Sequence, residues 1–122
     1  MTDSARSREF GTLLAERRAD VVAAVEARET AERELVDARG DSIADDEHDP
    51  EGVTLSAEWS HLAGLREAER RELEEIDAAF ARLDAGTYGI CVDCGRRIPV
   101  GRLRARPEAA RCVEDAARAE GR

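Results

Sequence analysis

The sequence predicts a mostly α-helical chain. It should be an antiparallel two-helix coiled-coil hairpin, followed by a small cysteine-bearing module with a short C-terminal helix. Three observations predict this. Apolar residues recur at alternating steps of four and three in two long stretches. An acidic segment containing Pro50 and Gly52 separates the stretches. All three cysteines fall within the last 36 residues.

The first helix is expected over about residues 4–39. This stretch holds no proline and only one glycine, Gly11, and is rich in Ala, Glu and Arg. Phe10, Leu14, Arg17, Val21, Ala24, Arg28, Ala31, Leu35 and Ala38 form its heptad seam, with Leu13 and Val25 widening the stripe. Gly40 reads as the helix stop. The tip, residues 40–54, loses the period and carries six acids between Asp41 and Glu51 with no arginine.

A second helix is expected over about residues 55–85. Its seam is Leu55, Trp59, Leu62, Arg66, Glu69, Leu73, Ile76, Phe80 and Leu83, and Gly86 ends it. Matching seams joined by one polar segment favour folding back within the chain over association between chains. Folding back brings Leu35 near Trp59, Phe10 near Leu83, and Arg28 into a layer next to Glu69. Trp59 reads as seam packing. The division into domains is then 1–85 for the hairpin and 86–122 for the module.

Composition sets limits on function. Leu, Ile, Val and Phe number 23 in 122 residues, too few for a broad core, so a narrow helical seam or a metal must support the fold. The formal charge is -9, and all 19 basic residues are arginine. That balance argues against a general DNA or membrane-surface binder. No apolar run approaches the ~18 residues of a membrane span. The N-terminus lacks the apolar stretch of a signal peptide, so the expected location is the cytoplasm. The charge is also unevenly placed. From Thr87 onward eight arginines face five acids, giving an acidic tip and a basic end.

The chemistry lies in the module. Cys91 and Cys94 form a C-x2-C knuckle with Gly95 directly after it. After seventeen residues come Cys112 and, three further on, Asp115. Two short knuckles at such spacing close a tetrahedron around zinc, and a carboxylate is an accepted fourth ligand. Pro107 reads as the start of the short terminal helix, which would put Asp115 one turn from Cys112. Three readings stand at this point. One is a single structural zinc ion on Cys91, Cys94, Cys112 and Asp115. Another is a metal-free knuckle held by Ile90, Ile98, Val100 and Leu103. The third is a thiol redox switch. No general base is evident beside the site and the module is tiny, which makes a catalytic zinc the least favoured reading.

The run Gly86-Thr87-Tyr88-Gly89-Ile90-Cys91-Val92-Asp93-Cys94-Gly95, with Ile98, Arg102-Leu103-Arg104-Ala105-Arg106-Pro107 and Cys112, resembles the DksA/TraR zinc-finger family. The resemblance covers residues 55–117 and implies a coiled-coil hairpin with an acidic tip and a zinc-finger end. It implies a non-enzymatic transcription regulator, a monomer that binds RNA polymerase rather than specific DNA or membrane. The hairpin would enter the secondary channel with its tip near the active centre. The tip acids are Asp45, Asp46, Asp49 and Glu51; Asp46-x2-Asp49-x-Glu51 stands where the family has D-x2-D-x-A. Two further departures are visible. Asp115 replaces the fourth cysteine. The family's alarmone contacts include lysines, whereas here Arg106 matches one basic position and Glu75 and Ala116 fall at others. The alternative is a zinc-stabilised coiled-coil adapter for another protein. Nucleic-acid binding through the arginine-rich finger is disfavoured by the scarcity of aromatics for stacking.

Overall fold

Long proline-free runs of Ala, Glu and Arg favour helix at every position, and two helices dominate the computed structural model. It describes residues 2–42 and 51–121, with side chains for 5–40 and 56–121. The elements are α1 (Thr2–Ser42), α2 (Glu51–Ala85), α3 (Val100–Ala105) and α4 (Val113–Glu120). Among the described residues there is no strand, only one antiparallel bridge between Ile90 and Arg97.

The helix limits differ from expectation. Gly40 does not end α1, which continues to Ser42, and α2 begins at Glu51 rather than near Leu55. A glycine costs only about 1 kcal/mol in a helix, which a helix of this length absorbs. The C-terminus of α2 matches expectation. Gly86 takes φ +81°, Thr87 N–H donates to the Arg82 carbonyl at 2.9 Å, and Gly86 N–H donates to Leu83 at 3.3 Å. This pair of bonds caps the last carbonyls and requires the left-handed residue that glycine supplies.

The chain forms two compact units, Met1–Ala19 with Glu72–Arg122, and Asp20–Arg71. These differ from the expected division after residue 85, because the ends of both long helices pack with the cysteine module. In the first unit Phe10 joins Cys91, Ile98, Leu103 and Ala109 in one core, with Leu13, Tyr88, Val100 and Cys112 packed against it. Leu14, Ile76 and Ala79 are fully buried. Arg18 donates to Asp77 at 3.1 Å and Gly11 lies beside Leu83, so the two helices run antiparallel there.

The second unit is an antiparallel helix pair with a polar seam. Arg39 pairs with Glu58 at 2.6 Å and Arg28 with Glu69 at 2.8 Å, so partner numbers fall on α2 as they rise on α1. The expected seam residues Ala24, Ala31, Leu35 and Ala38 are exposed. Val25 and Arg28 turn inward as expected, and Glu32, which lay outside the expected seam, is buried beside them. Glu32, 8% exposed, receives Arg66 at 2.7 Å and also pairs with Arg28. This ionic layer replaces apolar packing that alanine could not supply. Leu35 and Trp59 line one small cavity, as folding back requires, but Trp59 remains 44% exposed rather than seam-packed.

Candidate metal centre

The site is built from two segments that glycines and backbone bonds hold together. Gly95, at φ +76°, closes the first knuckle: its N–H donates to the Cys91 carbonyl at 3.0 Å, and Cys91 N–H donates to Arg96 at 2.8 Å. Gly89, at φ +85°, lies against Leu103, where an added Cβ would stand 3.5 Å from the leucine methyl. Val92 N–H donates to the Ala110 carbonyl at 2.9 Å, joining the knuckle to the segment before Cys112. Arg111 reinforces the junction by donating to Asp93 at 2.6 Å, and Arg102 donates to the Arg111 carbonyl at 2.9 Å.

Pro107 does not start the terminal helix. Residues 106–112 are non-helical, Pro107 is buried, and its carbonyl accepts the Tyr88 hydroxyl at 2.8 Å. Helix α4 begins at Val113 with Cys112 as its N-cap residue. Asp115 therefore sits in the first turn, where the helix dipole favours a carboxylate, and its side chain points back toward Cys112. The short α3 was not expected, since Gly101 interrupts it and Leu103 is its one buried residue.

The four residues anticipated as ligands converge. One ligand atom from each of Cys91, Cys94, Cys112 and Asp115 lies within 4.8 Å of the others, so the set could hold one metal ion. Cys91 and Asp115 are buried, Cys112 partly so, and Cys94 is exposed. The Cys91 thiol donates to Asp115 Oδ2 at 3.1 Å. Donors from the Cys91, Cys94 and Cys112 thiols hold the Asp115 carboxyl below its usual range, and Arg118 adds to the effect. Burial pushes the Cys91 thiol up, but backbone bonds at Cys94, Cys112 and Asp93 outweigh it and leave its pKa lowered. The N–H of Arg96 lowers Cys94, yet burial together with Asp115, Cys91 and Cys112 pushes that thiol up to about 11. Three soft sulfurs and one charged oxygen are a donor set that zinc accepts. Bound there, zinc would supply cross-linking energy to a module with a small core.

Residues 86–121 match the family model described as the prokaryotic dksA/traR C4-type zinc finger. Residues 86–121 thus resemble the DksA/TraR finger. That finger is of four-cysteine type, whereas the cluster in this chain is three cysteines and Asp115. The chain is 36% identical over 62 residues to the RNA polymerase-binding transcription factor DksA of Haemophilus influenzae, covering 51% of this chain and 43% of that protein. It is 43% identical over 63 residues to an uncharacterised protein of Aquifex aeolicus, covering 49% and 43%. The matches thus span about two fifths of the curated relatives' length. The fold resembles the structure of transcription factor DksA2 from Pseudomonas aeruginosa, with a TM-score of 0.73 at 28% identity, covering 96% of this chain and 84% of that one.

Asp45, Asp46 and Asp49 lie outside the described residues, and Glu51 is placed only as the first residue of α2. Sequence reasoning missed Glu108. It is 2% exposed and meets Arg17 at 3.4 Å and Arg106 at 3.8 Å, while Arg82 reaches its carbonyl at 3.5 Å. A lone glutamate beside Pro107 carries no sequence signal of burial. Among the described residues no helix is long and apolar enough to cross a membrane.

Proposed function

We propose that this chain is a non-enzymatic transcription regulator that binds RNA polymerase directly. Its acidic segment, with Asp45, Asp46, Asp49 and Glu51, enters the secondary channel and modulates initiation. The zinc finger, held by Cys91, Cys94, Cys112 and Asp115, braces the ends of α1 and α2. The chain works in the cytoplasm as a monomer, without specific DNA or membrane binding.

The observation that carries this reading is the fold likeness to transcription factor DksA2 over 96% of the chain, joined to the dksA/traR finger match at residues 86–121. The relative from Haemophilus influenzae named as RNA polymerase-binding supports the same partner. A net charge of -9 suits contact with basic protein surfaces and opposes binding to nucleic acid. Leu35, Val36, Trp59 and Leu65, all exposed in the helix pair, offer apolar area for a protein partner. In vitro transcription with purified polymerase tests the mechanism. Changing Asp45, Asp46 and Asp49 to Asn should abolish the effect on initiation while polymerase binding persists. An unchanged effect would refute the tip mechanism.

A further inference from the structure

The two oxygens of Asp115 have separate partners. Oδ2 faces the sulfurs, 3.1 Å from Cys91 Sγ, and Oδ1 accepts a hydrogen bond from Arg118 Nη1 at 3.1 Å. Arg118 lies one helical turn beyond Asp115, so α4 itself sets the pair. The Asp115 side chain is 7% exposed and that of Arg118 70%, so the arginine reaches the carboxylate from the solvent side. A thiolate has one donor atom, whereas a carboxylate can offer one oxygen or two. Substituting aspartate for a cysteine therefore leaves the coordination number open unless something occupies the second oxygen.

We propose that Arg118 is a positioning residue of the metal centre, which keeps Asp115 a one-oxygen ligand by holding its other oxygen. This rests on the reading of Asp115 as the fourth ligand. Groups that orient a metal ligand typically change affinity by about 10–100-fold, and the exposure of Arg118 places it at the lower end.

The test measures zinc affinity of the full chain by chelator competition in reducing buffer, and the absorption spectrum of the cobalt(II)-loaded chain. Arg118→Met should weaken zinc about tenfold. Its cobalt d–d bands should lose intensity, as a four-coordinate ion gains a second carboxylate oxygen, while the sulfur-to-cobalt bands persist. Arg118→Lys should recover part of the affinity. Asp115→Ala should weaken zinc more than Arg118→Met does. In an Asp115→Cys background the arginine has no carboxylate to hold, so adding Arg118→Met should change nothing. Wild-type affinity for Asp115→Ala would overturn the ligand reading and the proposal with it. A weakened Asp115→Ala beside an unaffected Arg118→Met would overturn the clamp alone. A tenfold loss that persists in the Asp115→Cys background would show that Arg118 acts through folding and would also overturn it.

Discussion

Arg28 on α1 donates Nε to the carboxylate of Glu69 on α2 at 2.9 Å. Only 12% and 21% of the two side chains are exposed, and Arg28 also pairs with Glu32. The pair is one of the ionic links of the Asp20–Arg71 unit, set where a coiled coil would place apolar residues. Arg28→Glu should therefore gather three carboxylates in one layer and lower the thermal midpoint by several degrees. Adding Glu69→Arg should restore part of the loss. Circular dichroism melts of the wild type and both variants check this; an unchanged midpoint for Arg28→Glu would show that the layer is solvated and carries no stability.

Phe10 ties α1 to the finger. It is 2% exposed, its ring lies 5.2 Å from that of Tyr88, and it shares a core with Cys91, Ile98, Leu103 and Ala109. Truncation to alanine should cost about 3–5 kcal/mol in denaturant unfolding, the usual range for a buried phenylalanine. A loss below about 1 kcal/mol would mean that the finger core closes without α1.

These residues show how far the sequence could be read. Steps of four and three, without proline, revealed both long helices and the Arg28–Glu69 layer. The cysteine frame revealed the cluster that could hold a metal, Asp115 included, because Asp115 in the first turn of α4 lies close to the N-cap residue Cys112. The burial of Glu32 in the α1 seam was hidden, since it depends on arginines beside it rather than on hydrophobicity. Helix α3 escaped notice because Gly101 interrupts a six-residue span. Pro107 misled because proline also suits a buried turn, here accepting the Tyr88 hydroxyl.

Tyr88 gives a pH signature. Burial, offset in part by Arg82, pushes its phenol up to about 12 from the usual 10. The folded state thus keeps a proton that the unfolded state loses. The stabilisation is full below pH 10 and disappears as pH rises through 12. As Tyr88 is the single tyrosine of the chain, phenolate absorbance reports it cleanly. The native titration should fall near 12 and the urea-unfolded one near 10. Coincident titrations would show the ring to be solvated.

Zinc should be found at about one ion per chain after purification under reducing, metal-replete conditions, the occupancy of a closed structural site. Its removal by chelator should expose Arg96, Arg104 and Arg111 to trypsin while most helicity, carried by α1 and α2, remains. A ratio near zero in metal-replete protein would contradict a finger held by Cys91, Cys94, Cys112 and Asp115.

The most direct measurement is equilibrium binding of the intact, zinc-loaded chain to purified core RNA polymerase, with duplex DNA as the competing partner. Saturable binding to polymerase, unaffected by added DNA, is the predicted result. No binding to polymerase by the folded, zinc-loaded chain would contradict the proposed function and favour an adapter for another protein.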